Sequence, residues 1–227
     1  MRLKSACLKR SAKLKLIGLL GGTFNPIHFG HLRMAQELAE AFNLAEIRFI
    51  PSANPPHKDE VSVSAEHRAA MVKIAIENNP LFSLDECELQ REGASFTIDT
   101  LISLRESLGG ETALCLIMGS DAFVKLNTWH RWHKLLDYAH IVLVQRPSTQ
   151  PQEKLPAELE TVLQDHYTEQ HLDLSKENAG FIIMQTISAQ EISATQIRNL
   201  LKNGQSVRYL LPNEVIEYIQ QHQLYQQ

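Results

Sequence analysis

The sequence is poor in the features of a secreted, membrane-bound or metal-scaffolded protein. Its 227 residues include three cysteines, Cys7, Cys87 and Cys115. Their spacing makes neither a metal-ligand pair nor a disulfide framework. Cys115 lies inside an apolar run and reads as a core residue. No stretch approaches the roughly 20 apolar residues of a membrane span. Lysines interrupt the beginning of the chain, and the run Leu16–Leu20 falls short of the about 7–15 apolar residues of a secretory signal. These absences favour a cytoplasmic protein that does not enter the membrane. Also missing are an internal repeat, a low-complexity tract and any arrangement that reads as a nucleophilic triad. An excess of positive charge is lacking too. The 22 basic and 26 acidic residues give a net charge of −4, which argues against a protein that coats nucleic acid. The charge is uneven, because residues 1–16 hold six bases (Arg2, Lys4, Lys9, Arg10, Lys13, Lys15) and no acid. Residues 1–13 are therefore expected to form a basic, disordered extension, and 14–227 a single domain.

What is present is an ordinary globular composition, 44% hydrophobic and 21% charged, enough to bury a core in one sizeable α/β domain. Leu14–Leu20 reads as a buried strand running into the glycine turn Gly21-Gly22. His31–Phe42 follows with a helical stripe of Leu32, Ala35, Leu38, Ala39 and Phe42. Further strands are expected at Glu46–Ile50, Phe82–Cys87, Ala113–Met118, Ile141–Gln145 and Phe181–Met184. Helices are expected at Ala65–Asn78, Thr97–Leu108, Leu155–Tyr167, Ser193–Asn203 and Pro212–Leu224, with a helix-turn region over Asp121–Leu136. The polar, proline-rich 52–64 and the proline-containing 147–156 read as connections. Alternation of strand and helix implies a parallel sheet covered on both faces, a Rossmann-like α/β fold with a helical C-terminal part. Ligands of such sheets sit where strands end and helices begin.

The string Gly21-Gly22-Thr23-Phe24-Asn25-Pro26-Ile27-His28-Phe29-Gly30-His31 falls at such a place. The glycines permit a tight turn and close backbone approach to a ligand. His28 and His31, three residues apart at the mouth of a helix, share one side of its first turn. Free N–H groups and a helix dipole of about +0.5 charge favour phosphate there. Gly30 leaves room for a nucleotide against the backbone. Each piece alone has an ordinary reading, a turn or a capping histidine; the whole string after a buried strand is far more specific. Gly-Gly-Thr-Phe-x-Pro followed by His-x-Gly-His resembles the signature of the HxGH nucleotidyltransferases. The resemblance implies that Gly21, Gly22, Thr23, Phe24, His28, Gly30 and His31 bind ATP, with His28 and His31 catalytic at the transferring α-phosphate. That family commonly carries Asp where this chain has Asn25, which keeps a short hydrogen-bonding side chain and loses its charge.

Ile192-Ser193-Ala194-Thr195-Gln196-Ile197-Arg198 is the second motif. Ser193 is a good N-cap, and Arg198 falls one turn beyond Thr195 on the same surface. Hydroxyls, N–H groups and a guanidinium on one small volume suit the β- and γ-phosphates of ATP. A capped helix with a surface arginine is the ordinary alternative. The superfamily carries Ile-Ser-x-Thr-x-x-Arg in the same order, which implies ATP binding by Ile192, Ser193, Thr195 and Arg198 and a catalytic Arg198. The two motifs stand about 160 residues apart.

A third set concerns the acceptor. Asn54-Pro55-Pro56-His57-Lys58, Ser95-Phe96-Thr97, Gly119-Ser120-Asp121, Thr128-Trp129-His130 and Arg146-Pro147 resemble the nicotinate-nucleotide adenylyltransferase branch of that superfamily. The resemblance implies that Trp129 stacks on the pyridine ring, worth about 1–3 kcal/mol by analogy with nucleic-acid bases. It implies that backbone amides around Thr97 and His130 hold the carboxylate. Asn25, Lys58, Phe96 and Arg146 join them on the acceptor, and Gly119 and Asp121 face ATP. Trp132 reads as packing.

The expected reaction is ATP plus nicotinate mononucleotide giving nicotinate adenine dinucleotide and pyrophosphate, with Mg2+ entering on ATP. The acceptor phosphate is itself the nucleophile, so positioning and charge neutralisation are the task. Two other readings stay open on the residues: an HxGH enzyme with nicotinamide mononucleotide, phosphopantetheine or a cytidylyl acceptor, and a non-catalytic nucleotide-binding module. The oligomeric state, including a homo-oligomer, is open as well.

Overall fold

The computed structural model describes residues 13–53, 63–91, 93–145, 154–188 and 190–226. All but Lys13 of the expected extension, together with Lys58 and Arg146, lies outside these residues. Strands β1 (Lys15–Gly22), β2 (Glu46–Pro51), β3 (Phe82–Leu84), β4 (Thr112–Gly119), β5 (His140–Gln145) and β6 (Ile182–Thr186) form one sheet. Its order is β3-β2-β1-β4-β5-β6, and every adjacent pair is parallel. Around it lie α1 (Phe29–Phe42), α2 (Ala65–Ile76), α3 (Thr97–Leu108), α4 (Ser120–Val124), α5 (Ala157–His166), α6 (Ala194–Lys202) and α7 (Asn213–Gln221).

The strands read as continuous apolar runs because both faces of the sheet are covered. Successive side chains then feed two separate cores. Leu16 and Leu20 of β1, Ala113, Cys115 and Ile117 of β4, and Val142 and Val144 of β5 pack with α1, α2, α6 and α7. Ile17, Leu19, Leu114, Leu116, Met118, Ile141 and Leu143 pack on the other face with α3, α4 and α5. Each of these aliphatic side chains contributes roughly 1.5–3 kcal/mol by leaving water. Cys115 is wholly buried, as its apolar neighbours imply, and burial pushes its thiol pKa up to about 12.

Element boundaries shift for local reasons. The strand expected over Phe82–Cys87 stops at Leu84, because the Asp85 carboxylate accepts from the Cys87 N–H (3.1 Å) and from Arg48 (3.1 Å) and turns the chain. The region Asp121–Leu136 resolves into the short α4 and two 3-10 turns, Leu126–Thr128 and Trp132–Asp137. The last helix ends at Gln221 rather than Leu224. Gln223 and Tyr225 take positive φ of 52° and 64°, and this turns Tyr225 back into the protein. Helix α2 ends at Ile76, short of Asn78.

The order places the topological switch between β1 and β4. From β1 the chain moves outward to β2 and β3, then returns to β4 on the other side. The crevice beyond the C-terminal ends of these two strands is the ligand position of such sheets. Both Gly21–His31 and Gly119–Asp121 open from those ends.

Candidate active site

After β1 the backbone makes a turn held from within. Phe24 has φ of +46°, an uncommon conformation for a residue with a side chain, and its ring is buried against Phe49. The edge of the same ring meets His31 at a centroid distance of 5.2 Å. Phe24 thus supports the histidine from below, and only its backbone can face a ligand. His28 is the N-cap of α1, 5% exposed, and its ring stacks on that of His31 at 3.7 Å. The His28 N–H donates to His31 Nδ1 at 3.3 Å. An Nδ1 that accepts leaves the proton of a neutral His31 on Nε2. Gly30 is required between them by the protein itself. A Cβ there would stand 2.9 Å from His28 Nδ1 and 3.5 Å from the Ile192 carbonyl oxygen.

Two arginines from distant helices fasten the carbonyls of this turn. Arg68 of α2 donates to the Thr23 carbonyl at 2.6 Å, and Arg198 of α6 to that of Asn25 at 2.8 Å. The Asn25 side-chain oxygen accepts from the Tyr225 hydroxyl at 2.7 Å. Tyr225 is buried near both arginines; burial raises its pKa and the two cations work against that rise.

The second motif reaches the same place. Ser193 caps α6 and accepts from the Gln196 N–H at 3.2 Å. Arg198 also donates to Thr195 Oγ1 at 3.2 Å, so one guanidinium bridges both motifs. Thr195 is exposed, and Arg198 is half-buried. The approach to α6 is tied to α1: the Glu37 carboxylate accepts from the N–H and the hydroxyl of Ser188.

Beyond β4, Asp121 lies in the first turn of α4, and a Cβ on Gly119 would collide with its Oδ1. Phe96 is the N-cap of α3, and its ring lies 4.5 Å from that of His130. Trp129 is half-buried and packs on the second core, as does Trp132. Ser95 Oγ accepts from the Ala53 N–H at 3.2 Å and so ties α3 to the end of β2. Behind it, Glu88 is buried and accepts from the Thr100 hydroxyl at 2.8 Å; burial raises its carboxyl pKa.

Comparison with known proteins identifies the family. The cytidylyltransferase-like family model matches residues 19–200. A protein of Aeromonas salmonicida (strain A449) named a probable nicotinate-nucleotide adenylyltransferase is 49% identical over 210 residues, 92% of this chain and 97% of that protein. One of the same name from Pseudomonas putida is 44% identical over 218 residues, 96% of this chain and 94% of the relative. The chain belongs to the nicotinate-nucleotide adenylyltransferase family. The fold matches that of the Plasmodium falciparum nicotinic acid mononucleotide adenylyltransferase complexed with NaAD. That likeness has a TM-score of 0.70 at 19% identity, covering 93% of this chain and 97% of that one.

Within this adenylyltransferase-family chain the structure gathers Thr23, Phe24, Asn25, His28, Gly30, His31, Ile192, Thr195 and Arg198 at one strand end. Phe96 and His130 pair beside the β4 exit. Sequence reasoning missed Arg68, Tyr225 and Glu88. Arg68 had a legible signal: it lies four residues before Val72 and eight before Ile76, on the buried stripe of α2. Tyr225 and Glu88 carried none, since their partners Asn25 and Thr100 are joined to them only by the fold. A groove of about 450 Å³ beside α1, lined by residues including Leu32, Gln36, Phe82 and Tyr209, touches the first motif at Phe29.

Proposed function

We propose that this chain transfers the adenylyl group of ATP to nicotinate mononucleotide, releasing pyrophosphate and forming nicotinate adenine dinucleotide. The observation that carries the reading is the meeting of the two motifs, with Arg198 bonded at once to Thr195 and to Asn25 of the glycine turn. The identity of the relatives supports the choice of acceptor.

An oxygen of the acceptor phosphate attacks the α-phosphorus, and the bond from that phosphorus to the bridging oxygen of pyrophosphate breaks. No side-chain nucleophile and no general base is called for. The protein holds two anions in line and neutralises charge as it develops. His31 donates from Nε2 to the α-phosphate, with His28 fixing its plane. Ser193, Thr195 and Arg198 receive the β- and γ-phosphates. Magnesium would enter with the ATP substrate in this scheme. Magnesium bound to ATP would offset the charge of its phosphates. Phe96, Trp129 and His130 form the acceptor's aromatic wall, with amides near Thr97 facing its carboxylate. The same reading places the enzyme in the cytoplasm, with its substrates; among the described residues no helix is long and apolar enough to cross a membrane.

The test is pyrophosphate release from MgATP with nicotinate mononucleotide and nicotinamide mononucleotide in parallel. Preference for the acid is expected. Preference for the amide would keep the chemistry and overturn the acceptor, and silence with both would overturn the reading.

A further inference from the structure

Arg68 is the largest of the fully buried side chains, at 1% exposure. Every guanidinium contact goes to a backbone carbonyl: Nε to Val63 at 3.3 Å, Nη1 to Thr23 at 2.6 Å, and Nη2 to Ser52 at 2.7 Å and Ala53 at 3.3 Å. Among the described residues it forms no ion pair. Burial lowers its pKa, while Tyr225, a buried phenol, and then Glu66, an exposed carboxylate, act on it only through space in the opposite sense. Carbonyl dipoles solvate a cation and leave its net charge in place. A buried, unmatched charge is costly, and an apolar side chain of similar length would fill the volume without that cost. Rules of this kind are broken at functional sites.

The position of the charge says what it serves. Arg68 is bonded to the turn between β1 and α1 at Thr23, and Arg198 is bonded to the same turn at Asn25. Asn25 of that turn is neutral, and the Tyr225 hydroxyl that it accepts from lies within electrostatic reach of both cations. Because a trans peptide points its C=O and N–H in opposite directions, fastening the Thr23 carbonyl to Arg68 aims the Phe24 N–H away from the guanidinium. Burial of the Arg68 side chain leaves its field less screened than that of a surface cation.

We propose that Arg68 is a positioning residue whose buried charge takes the polyphosphate of the nucleotide as its counter-ion, so that affinity for the ligand grows with its phosphate charge. This rests on the reading that ATP phosphates bind at the turn after β1. Arg68 bonds the turn and touches no substrate; its effect is to set the turn's geometry and its potential together.

The experiment is calorimetric binding of AMP, ADP and ATP, without metal or acceptor, to the full-length protein and to its Arg68→Gln and Arg68→Lys variants. Gln keeps donors for the carbonyls and loses the charge; Lys keeps the charge and loses the fork. The wild-type protein is expected to gain affinity from AMP to ATP. Arg68→Gln should lose about threefold or more of that gain per added phosphate, and Arg68→Lys should stay within about threefold of wild type. An equal loss for all three ligands in Arg68→Gln would reduce Arg68 to a scaffold and overturn the proposal. If Arg68→Gln does not fold, Arg68→Lys decides: a retained ATP-to-AMP ratio supports the proposal, and a ratio near one overturns it. A wild-type protein that binds AMP and ATP alike would instead sink the phosphate-turn reading itself.

Discussion

Arg198 donates to the backbone carbonyl of Asn25 at 2.8 Å, across 173 residues of sequence. The same guanidinium holds Thr195 Oγ1 at 3.2 Å. A helix from the C-terminal part is thereby tied to the turn after β1, and the two motifs are held together. Preorganised donors of this kind are where enzymes gain most of their electrostatic stabilisation, since nothing has to reorient when charge develops.

Replacing Arg198 by Ala is therefore expected to lower kcat about 10²–10³-fold with loss of about 1–2 kcal/mol of stability. Arg198→Lys should recover less than a tenth of the activity, because an ammonium cannot serve two acceptors in fixed planar geometry. Steady-state pyrophosphate release and thermal unfolding check both. A variant that is less stable yet turns over normally would make Arg198 a clamp alone.

Gly30→Ala probes the histidine pair without replacing either histidine. The new methyl would press on His28 at 2.9 Å, and that ring must tilt off its stack with His31. The expected outcome is a fall in kcat of about 10–100-fold from misplacement of the order of 1 Å. His31→Ala should cost at least as much. Unchanged kcat in a folded Gly30→Ala protein would remove the stacked pair from the mechanism.

On the acceptor side the two aromatic groups differ in their second roles. Trp129 packs on the second core, whereas Phe96 and His130 meet each other at 4.5 Å at the N-terminus of α3. Trp129→Ala should raise the acceptor KM and also destabilise the protein by about 3 kcal/mol or more. Phe96→Ala should raise the acceptor KM about tenfold with a smaller loss of stability. The ATP KM is expected to move little in either. Equal weakening of both substrates would count against an acceptor wall.

Asn25 and Tyr225 allow a narrower test. Tyr225→Phe deletes the hydroxyl that holds Asn25 Oδ1 at 2.7 Å and should cost about 1 kcal/mol of stability. Asn25→Asp keeps the acceptor for that hydroxyl and places a carboxylate on the turn that Arg68 and Arg198 both bond. Activity within about tenfold of wild type is expected, since the turn's carbonyl clamps are untouched. Collapse of activity would show that the neutral amide is required.

Acid stability follows from His140. It is fully buried in β5, with the Phe181 N–H donating to Nδ1 at 3.0 Å and Nε2 donating to the Glu177 carbonyl at 3.0 Å, so the neutral ring satisfies both nitrogens. Burial lowers its pKa below the ordinary histidine value. The unfolded chain then takes up a proton first as pH falls. Its contribution is complete above about pH 6.5 and is lost below that, by at most about 1.4 kcal/mol per pH unit, until the folded ring protonates. Melting temperatures at pH 8, 6.5 and 5 for wild type and His140→Gln check this. The slope between pH 6.5 and 5 should flatten in the variant, and equal slopes would assign acid sensitivity elsewhere.

Local order was written in the sequence by itself. The apolar runs of β1, β4 and β5, the glycines that end β1 and β4, the Ser193 cap and the stripe of α1 follow from periodicity and backbone chemistry, which act within a few residues. So did the class of chemistry, because the two motifs keep their residue types in fixed local spacing. What the chain could not declare locally is what tertiary structure decided. The strand order puts the switch point beside Gly21–Gly22. Arg68 reaches through the core to the Thr23 carbonyl, and Tyr225 returns from the last turn to Asn25. The Phe24 ring, assigned with its neighbours to ATP, serves instead as the floor beneath His31. Gly30, expected to clear space for a nucleotide, makes room first for the His28 ring. The Arg68 and Tyr225 bonds join residues 45 and 200 positions apart, and only folding brings them within hydrogen-bonding distance.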